Sequence, residues 1–233
     1  MNTKIYCDIA DINQIIKFNK KKIVEGFTTN PSLMRKAGAK NYQKYSKKIL
    51  SHCKSKPISF EVFADDFDSM IDQAFIINKW GNNVYVKIPV INSKGKFSGK
   101  VIEYLNKKNI KLNITAIYSF GMIKKITKLL NKNTRVILSV FVGRAADNGF
   151  DLVPELKKII KHTKKFKNIE ILWASVREPY NFLQAKHLGC HIITVPPSII
   201  KKIENFKKKS LNQLSKITVE GFLLDAKKSG YKI

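Results

Sequence analysis

A lysine stands inside an otherwise apolar, strand-like run at 83–90, NVYVKIPV. Burying its ammonium is costly unless the charge is paired or neutralised, so Lys87 asks for a chemical reason. Period-2 alternation puts Val84, Val86, Ile88 and Val90 on one face of such a strand and Tyr85, Lys87 and Pro89 on the other. A lysine facing a partly dry interior among other cations would have its pKa lowered and would offer a neutral amine. That amine is suited to forming a Schiff base with a carbonyl compound. A plain ion pair with Glu61 or Asp8 is the structural alternative. Other polar residues sit in or just after further β-rich runs: Asp8, Asn30, Glu61, Asn113, Thr115, Ser139, Arg144, Ser175 and Arg177. Lys87, Asn113 and Ser139 follow one another at steps of 26 residues, one strand-helix unit per step. Such a set could surround one small molecule with an amine, carboxylates for proton transfer, amides and hydroxyls.

Positioning these groups requires a scaffold that brings strand ends together. The β-rich runs are KIYCDIA (4–10), EGFTTN (25–30), PISFEVF (57–63), VYVKIPV (84–90), KLNITAI (111–117), RVILSVFV (135–142), IEILWAS (169–175) and HIITVPP (191–197). Between them lie stretches of helical length and period, among them 68–80, 121–132, 152–166 and 178–189. Alternation of this kind implies a parallel sheet, and eight units close into an α/β fold, the (β/α)8 TIM barrel. An open doubly wound sheet is disfavoured because no GxGxxG follows the first strand. The polar residues fall where that barrel keeps its working groups, at the C-terminal strand ends.

No linker or low-complexity block interrupts the 233 residues, so they read as one domain, 1–233, with a C-terminal helix over 210–230. The net charge is +27, carried by 44 Lys+Arg against 17 Asp+Glu. Only four of those cations are arginines, Arg35, Arg135, Arg144 and Arg177, and the lysines are spread over the helical segments. This field favours anionic partners, phosphorylated metabolites included. No base-reading motif accompanies it, so no specific nucleic-acid partner is expected. Cys7, Cys53 and Cys190 have neither CxxC spacing nor an even count, which supports neither a disulfide framework nor zinc. His52, His162, His187 and His191 lack ligand spacing, and no metal is assigned. The N-terminal MNTKIYCDIADINQ lacks a signal peptide's apolar core, and no apolar run approaches the roughly 20 residues of a membrane span. A cytoplasmic, non-membrane protein is expected.

Five stretches, GFTTNPSL (26–33), VYVKIPV (84–90), NITAIYS (113–119), SVFVGRAAD (139–147) and WASVRE (173–178), together resemble the transaldolase and fructose-6-phosphate aldolase family across essentially the whole chain. The resemblance implies a class I aldolase chemistry that needs no metal or organic cofactor. It assigns Lys87 as the Schiff-base lysine, Asp8 as general acid/base, and Glu61 with Thr115 as holders of a catalytic water. Asn30, Asn113 and Ser139 would hydrogen-bond the dihydroxyacetone fragment, and Arg144, Ser175 and Arg177 would bind phosphate. Asp8 and Asn30 also have bland readings as helix caps. That two of four arginines fall in the phosphate segment suits the planar fork, which lysine cannot reproduce. Glu61 in strand 3 and Phe141 in strand 6 resemble the transferases of the family, whereas its fructose-6-phosphate aldolases carry Gln and Tyr. The short subgroup of the family forms decamers in which a C-terminal helix docks on a neighbour, so a homo-oligomer is expected.

Overall fold

Short β-branched runs make the strands: β1 (Lys4–Asp8), β2 (Val24–Thr28), β3 (Ile58–Glu61), β4 (Val84–Pro89), β5 (Leu112–Ile117), β6 (Val136–Val140), β7 (Ile169–Trp173) and β8 (Ile192–Val195). In the computed structural model, which describes residues 2–206 and 208–232, these eight strands pair in sequence order, all parallel, into a closed barrel. The helices are α1 (Ile12–Asn19), α2 (Pro31–Lys36), α3 (Tyr42–His52), α4 (Phe67–Asn78), α5 (Gly99–Lys107), α6 (Phe120–Thr127), α7 (Val142–Ala146), α8 (Val153–Thr163), α9 (Tyr180–Leu188), α10 (Pro197–Ile203) and α11 (Leu211–Ser229). The expected (β/α)8 barrel with a C-terminal helix is therefore the observed architecture.

Local chemistry sets the helix ends. Asp11, Asn41, Asp66 and Ser119 each cap a helix by accepting a backbone N–H at the third position beyond, which satisfies a donor the first turn cannot. Gly189 ends α9 in the left-handed region at φ 83°, a conformation that costs glycine nothing. Every strand except β5 stops short of the β-rich run that predicts it, and β2 and β6 show why. β2 ends at Thr28 because Asn30 caps α2 and Pro31 occupies its first turn. β6 ends at Val140, and the apolar continuation Phe141–Val142 turns into the five-residue α7.

The barrel axis is filled in layers. A lower layer of Tyr6, Tyr85, Ile137, Leu172 and Ile192 is buried, and two residues further along β1, β4, β6 and β8, the same inward face carries Asp8, Lys87, Ser139 and Thr194. Alternation along a strand makes this inevitable once the lower layer points inward. Gly26 on β2 makes room for that layer: a Cβ there would lie 2.5 Å from the Tyr6 ring.

Two compact units divide the chain, one reaching to Ile200 and the other starting at Lys201. The second unit carries α11, whose N-terminus is held by a reciprocal capping box between Ser210 and Gln213. None of the α11 residues is buried, and Leu211, Leu214, Val219, Phe222 and Leu223 are exposed. Among the described residues, no helix is long and apolar enough to cross a membrane.

Candidate active site

Lys87 is the centre of the upper layer, only 6% exposed. Register pairs it with Glu61 on β3 and with Asn113 on β5, so both neighbours on the sheet are polar. Its Nζ lies 3.0 Å from Glu61 Oε2 and donates to the Thr29 carbonyl at 3.2 Å. The surroundings expected from composition were cationic; the contacts found are a carboxylate and a carbonyl. The reason is the barrel itself, whose inward positions draw on strand residues, while the lysine excess lies on the helices and the segments that connect them.

Asp8 ends β1 and accepts a hydrogen bond from Thr28 Oγ1 at 2.8 Å. Thr28 Oγ1 in turn lies 2.5 Å from Thr194 Oγ1. Burial pushes the Asp8 carboxyl above its usual range, against the opposing pull of Lys87 and of the Thr28 hydroxyl. Desolvation prevails because it penalises the charged form directly. The capping alternative for Asp8 does not hold, since the cap of α1 is Asp11.

Glu61 is held by its own backbone. The Tyr42 hydroxyl accepts the Glu61 N–H at 3.0 Å and donates to the Glu61 carbonyl at 2.9 Å. Asn113 is locked between two serines: its Nδ2 donates to Ser59 Oγ at 3.0 Å, and its Oδ1 accepts from Ser139 Oγ at 2.7 Å. Thr115 is buried, and its Oγ1 has no protein partner. A buried hydroxyl of that kind is commonly satisfied by an ordered water. The structural alternative is seen for Asn30, whose Oδ1 accepts the Leu33 N–H at 2.8 Å, as it is for Lys87 in its ion pair with Glu61.

The segments after β6 and β7 meet at Gly143. A Cβ on Gly143 would collide with the Ser175 carbonyl oxygen and lie 3.2 Å from Arg177 Cγ. Ser175 itself is in the left-handed region at φ 64°, a strained state for a side-chain-bearing residue and typical of functional turns. Phe141 packs on the lower layer and edge-on to Tyr118, and the Arg144 guanidinium lies 5.7 Å from the Phe141 ring centre. Arg177 is engaged by Asp147: its Nε donates to both carboxylate oxygens at 2.9 Å, and its Nη2 to Oδ2 at 2.5 Å. Sequence reasoning passed over Thr28, Ser59, Tyr42, Thr194, Gly143 and Asp147. Each acts through a partner distant in the chain, so spacing carries no signal for it.

The structure thus gathers Asp8, Glu61, Lys87, Asn113, Thr115 and Ser139 around one end of the barrel axis, with Arg144 on α7 and Ser175 and Arg177 in the segment after β7. These features define a (β/α)8-barrel protein with a buried lysine paired to a carboxylate. A family model described as "Transaldolase/Fructose-6-phosphate aldolase" matches residues 5–232. The chain belongs to this family. A "probable transaldolase" of Nitrosopumilus maritimus is 32% identical over 97% of this chain and 95% of its own length. One of Sulfurihydrogenibium sp., of the same description, is 34% identical over 95% of each. Among solved structures, a protein assigned to the dihydrodipicolinate synthase family from Coccidioides immitis superposes with a TM-score of 0.65 at 11% identity, over 87% of this chain and 71% of that one. That likeness concerns the barrel alone.

Proposed function

We propose that the protein is a transaldolase, moving a dihydroxyacetone unit between phosphorylated sugars through a Schiff base on Lys87. The observation that carries the reading is Lys87 Nζ lying 3.0 Å from the Glu61 carboxylate in a ring of inward polar side chains. For attack on the C2 ketone the amine must shed a proton, and Glu61 is within reach to take it. The carbinolamine then loses its hydroxyl as water with a proton returned from Glu61, aided by a water held at Thr115, which leaves an iminium. Asp8 takes the C4 hydroxyl proton, the C3–C4 bond breaks, and its electrons pass into the iminium to give an enamine. An aldose phosphate departs. Attack of the enamine C3 on an acceptor aldehyde reverses these steps. A carboxyl raised by burial holds a proton more readily than an exposed one, which suits Asp8 to both taking and returning it.

Glu61 and Phe141, the residues the family's transferases carry at these positions, support transfer over release. Phe141 has no hydroxyl to place water on the enamine, so the fragment waits for an aldehyde. Fructose 6-phosphate with erythrose 4-phosphate, followed by NMR, is expected to give sedoheptulose 7-phosphate, with little product when the acceptor is left out. Free dihydroxyacetone appearing at a comparable rate without acceptor would identify an aldolase instead and show Phe141 to be misread.

The reading includes self-association through α11, as in the short subgroup it resembles. Its exposed Leu211, Leu214 and Phe222 support this, since exposed apolar groups of this size favour burial against a partner. Sedimentation of the Leu214→Lys, Phe222→Lys double variant should show a smaller particle than the wild type. An unchanged particle would remove α11 from the interface.

A further inference from the structure

A carboxylate at an anion site is a physical oddity. Asp147 stands beside both arginines of the phosphate segment, where a negative charge would repel an incoming phosphate. Arg177 and Arg144 hold its carboxyl below the usual carboxylate range, the Arg177 hydrogen bonds contributing most. The contact geometry explains why such a group is tolerated. Asp147 takes the side-on edge of Arg177, the Nε–H and one Nη2–H. A guanidinium has five N–H donors in a rigid fork, so three are left over, two of which, one Nη1–H and the second Nη2–H, form the end-on edge. That edge is the one able to hold two phosphate oxygens in parallel.

Both ends of the pair are anchored. Asp147 closes α7, with its N–H donating to the Gly143 carbonyl at 2.9 Å, and the Arg177 N–H donates to Asn181 Oδ1 at 3.1 Å. Gly143 is also where α7 presses on the Ser175 carbonyl, which fixes the distance between the two segments. With side chains 47% and 46% exposed, the pair is worth little as a stabilising bridge. Its consequence is orientation. An arginine free in solvent must give up rotamer freedom to bind, and here that cost is met before the ligand arrives. One positive charge from Asp147 and the two arginines taken together remains to attract the anion.

We infer that Asp147 is a positioning residue of the phosphate site, holding Arg177 side-on so that its end-on edge meets a phosphate monoester between α7 and the 175–177 turn. This rests on the transaldolase reading for the place of the phosphate site and for the identity of the sugar; the role of Asp147 rests on its contacts with Arg177. Two readouts separate the questions. Inorganic phosphate titrated into the full-length protein by calorimetry should bind about tenfold more weakly in Asp147→Ala and Asp147→Asn than in wild type. Asp147→Glu should recover most of the loss, and Arg177→Ala should lose at least as much as Asp147→Ala. With fructose 6-phosphate, the Ala and Asn variants should raise KM about tenfold while kcat changes far less. Phosphate affinity in Asp147→Ala and Asp147→Asn within twofold of wild type, or tighter, would overturn the inference, tighter binding marking Asp147 as a competitor. Absence of phosphate binding by the wild type would overturn it too. Phosphate binding that depends on Asp147 in a protein that fails to process fructose 6-phosphate would uphold the inference and reject the transaldolase reading.

Discussion

Lys87→Met should reduce transaldolase turnover by at least about 10⁴-fold, the scale on which loss of a covalent nucleophile acts. Reduction of wild type with borohydride in the presence of fructose 6-phosphate should leave a covalent adduct on the peptide containing Lys87, and the variant should leave none. An adduct on another lysine would sink the assignment. The same substitution acts on stability through Glu61. Its carboxylate, 17% exposed beside a Lys87 side chain that is 8% exposed, would lose its ion-pair partner. Stranding one member of a buried pair costs about 3–5 kcal/mol. Lys87→Met should therefore melt lower than wild type, and adding Glu61→Gln should recover stability without recovering activity. Non-additivity of the two changes in a double-mutant cycle measures the coupling.

Asp8→Asn should lower kcat by about 10²–10⁴-fold, the usual contribution of a positioned acid/base, and should raise the melting temperature at neutral pH. Burial raises the Asp8 pKa in the folded protein. Between the ordinary aspartate value of about 4 and that raised value, the native state keeps a proton the unfolded chain has released. Stability therefore falls as pH rises through this window, and above it the whole cost is present. Asparagine carries no charge to desolvate and escapes that cost. The wild-type rate should show an acidic limb above the ordinary carboxylate range, and the residual rate of Asp8→Asn should lack it. An Asp8→Asn protein that is fully active, or whose pH profile is unchanged, would assign the acid/base role elsewhere.

Much of this site can be read along the chain. The Pro31 and Asn30 pair announces a strand-to-helix turn, and the structure keeps that turn as a cap. The period-2 pattern of 84–90 places Lys87 inward with Tyr85, as found in the barrel core. Where the pattern misled, as at 135–142, the apolar run is longer than the strand because Val142 is buried from a helix and not from the sheet.

By itself the sequence determined the periodicities, and through them the eight strand-helix units, the caps, the inward set of polar residues and the family. Those are local properties, set by which residues lie two or three to four apart. What only the tertiary structure decided is who meets whom. Glu61 rather than Asp8 pairs with Lys87 because register places it directly across from the lysine on the adjacent strand. Asp147 reaches Arg177 because α7 and the segment after β7 touch at a glycine. Barrel closure brings strand ends together across gaps that no spacing rule encodes, and the electrostatics of the site arise from those meetings.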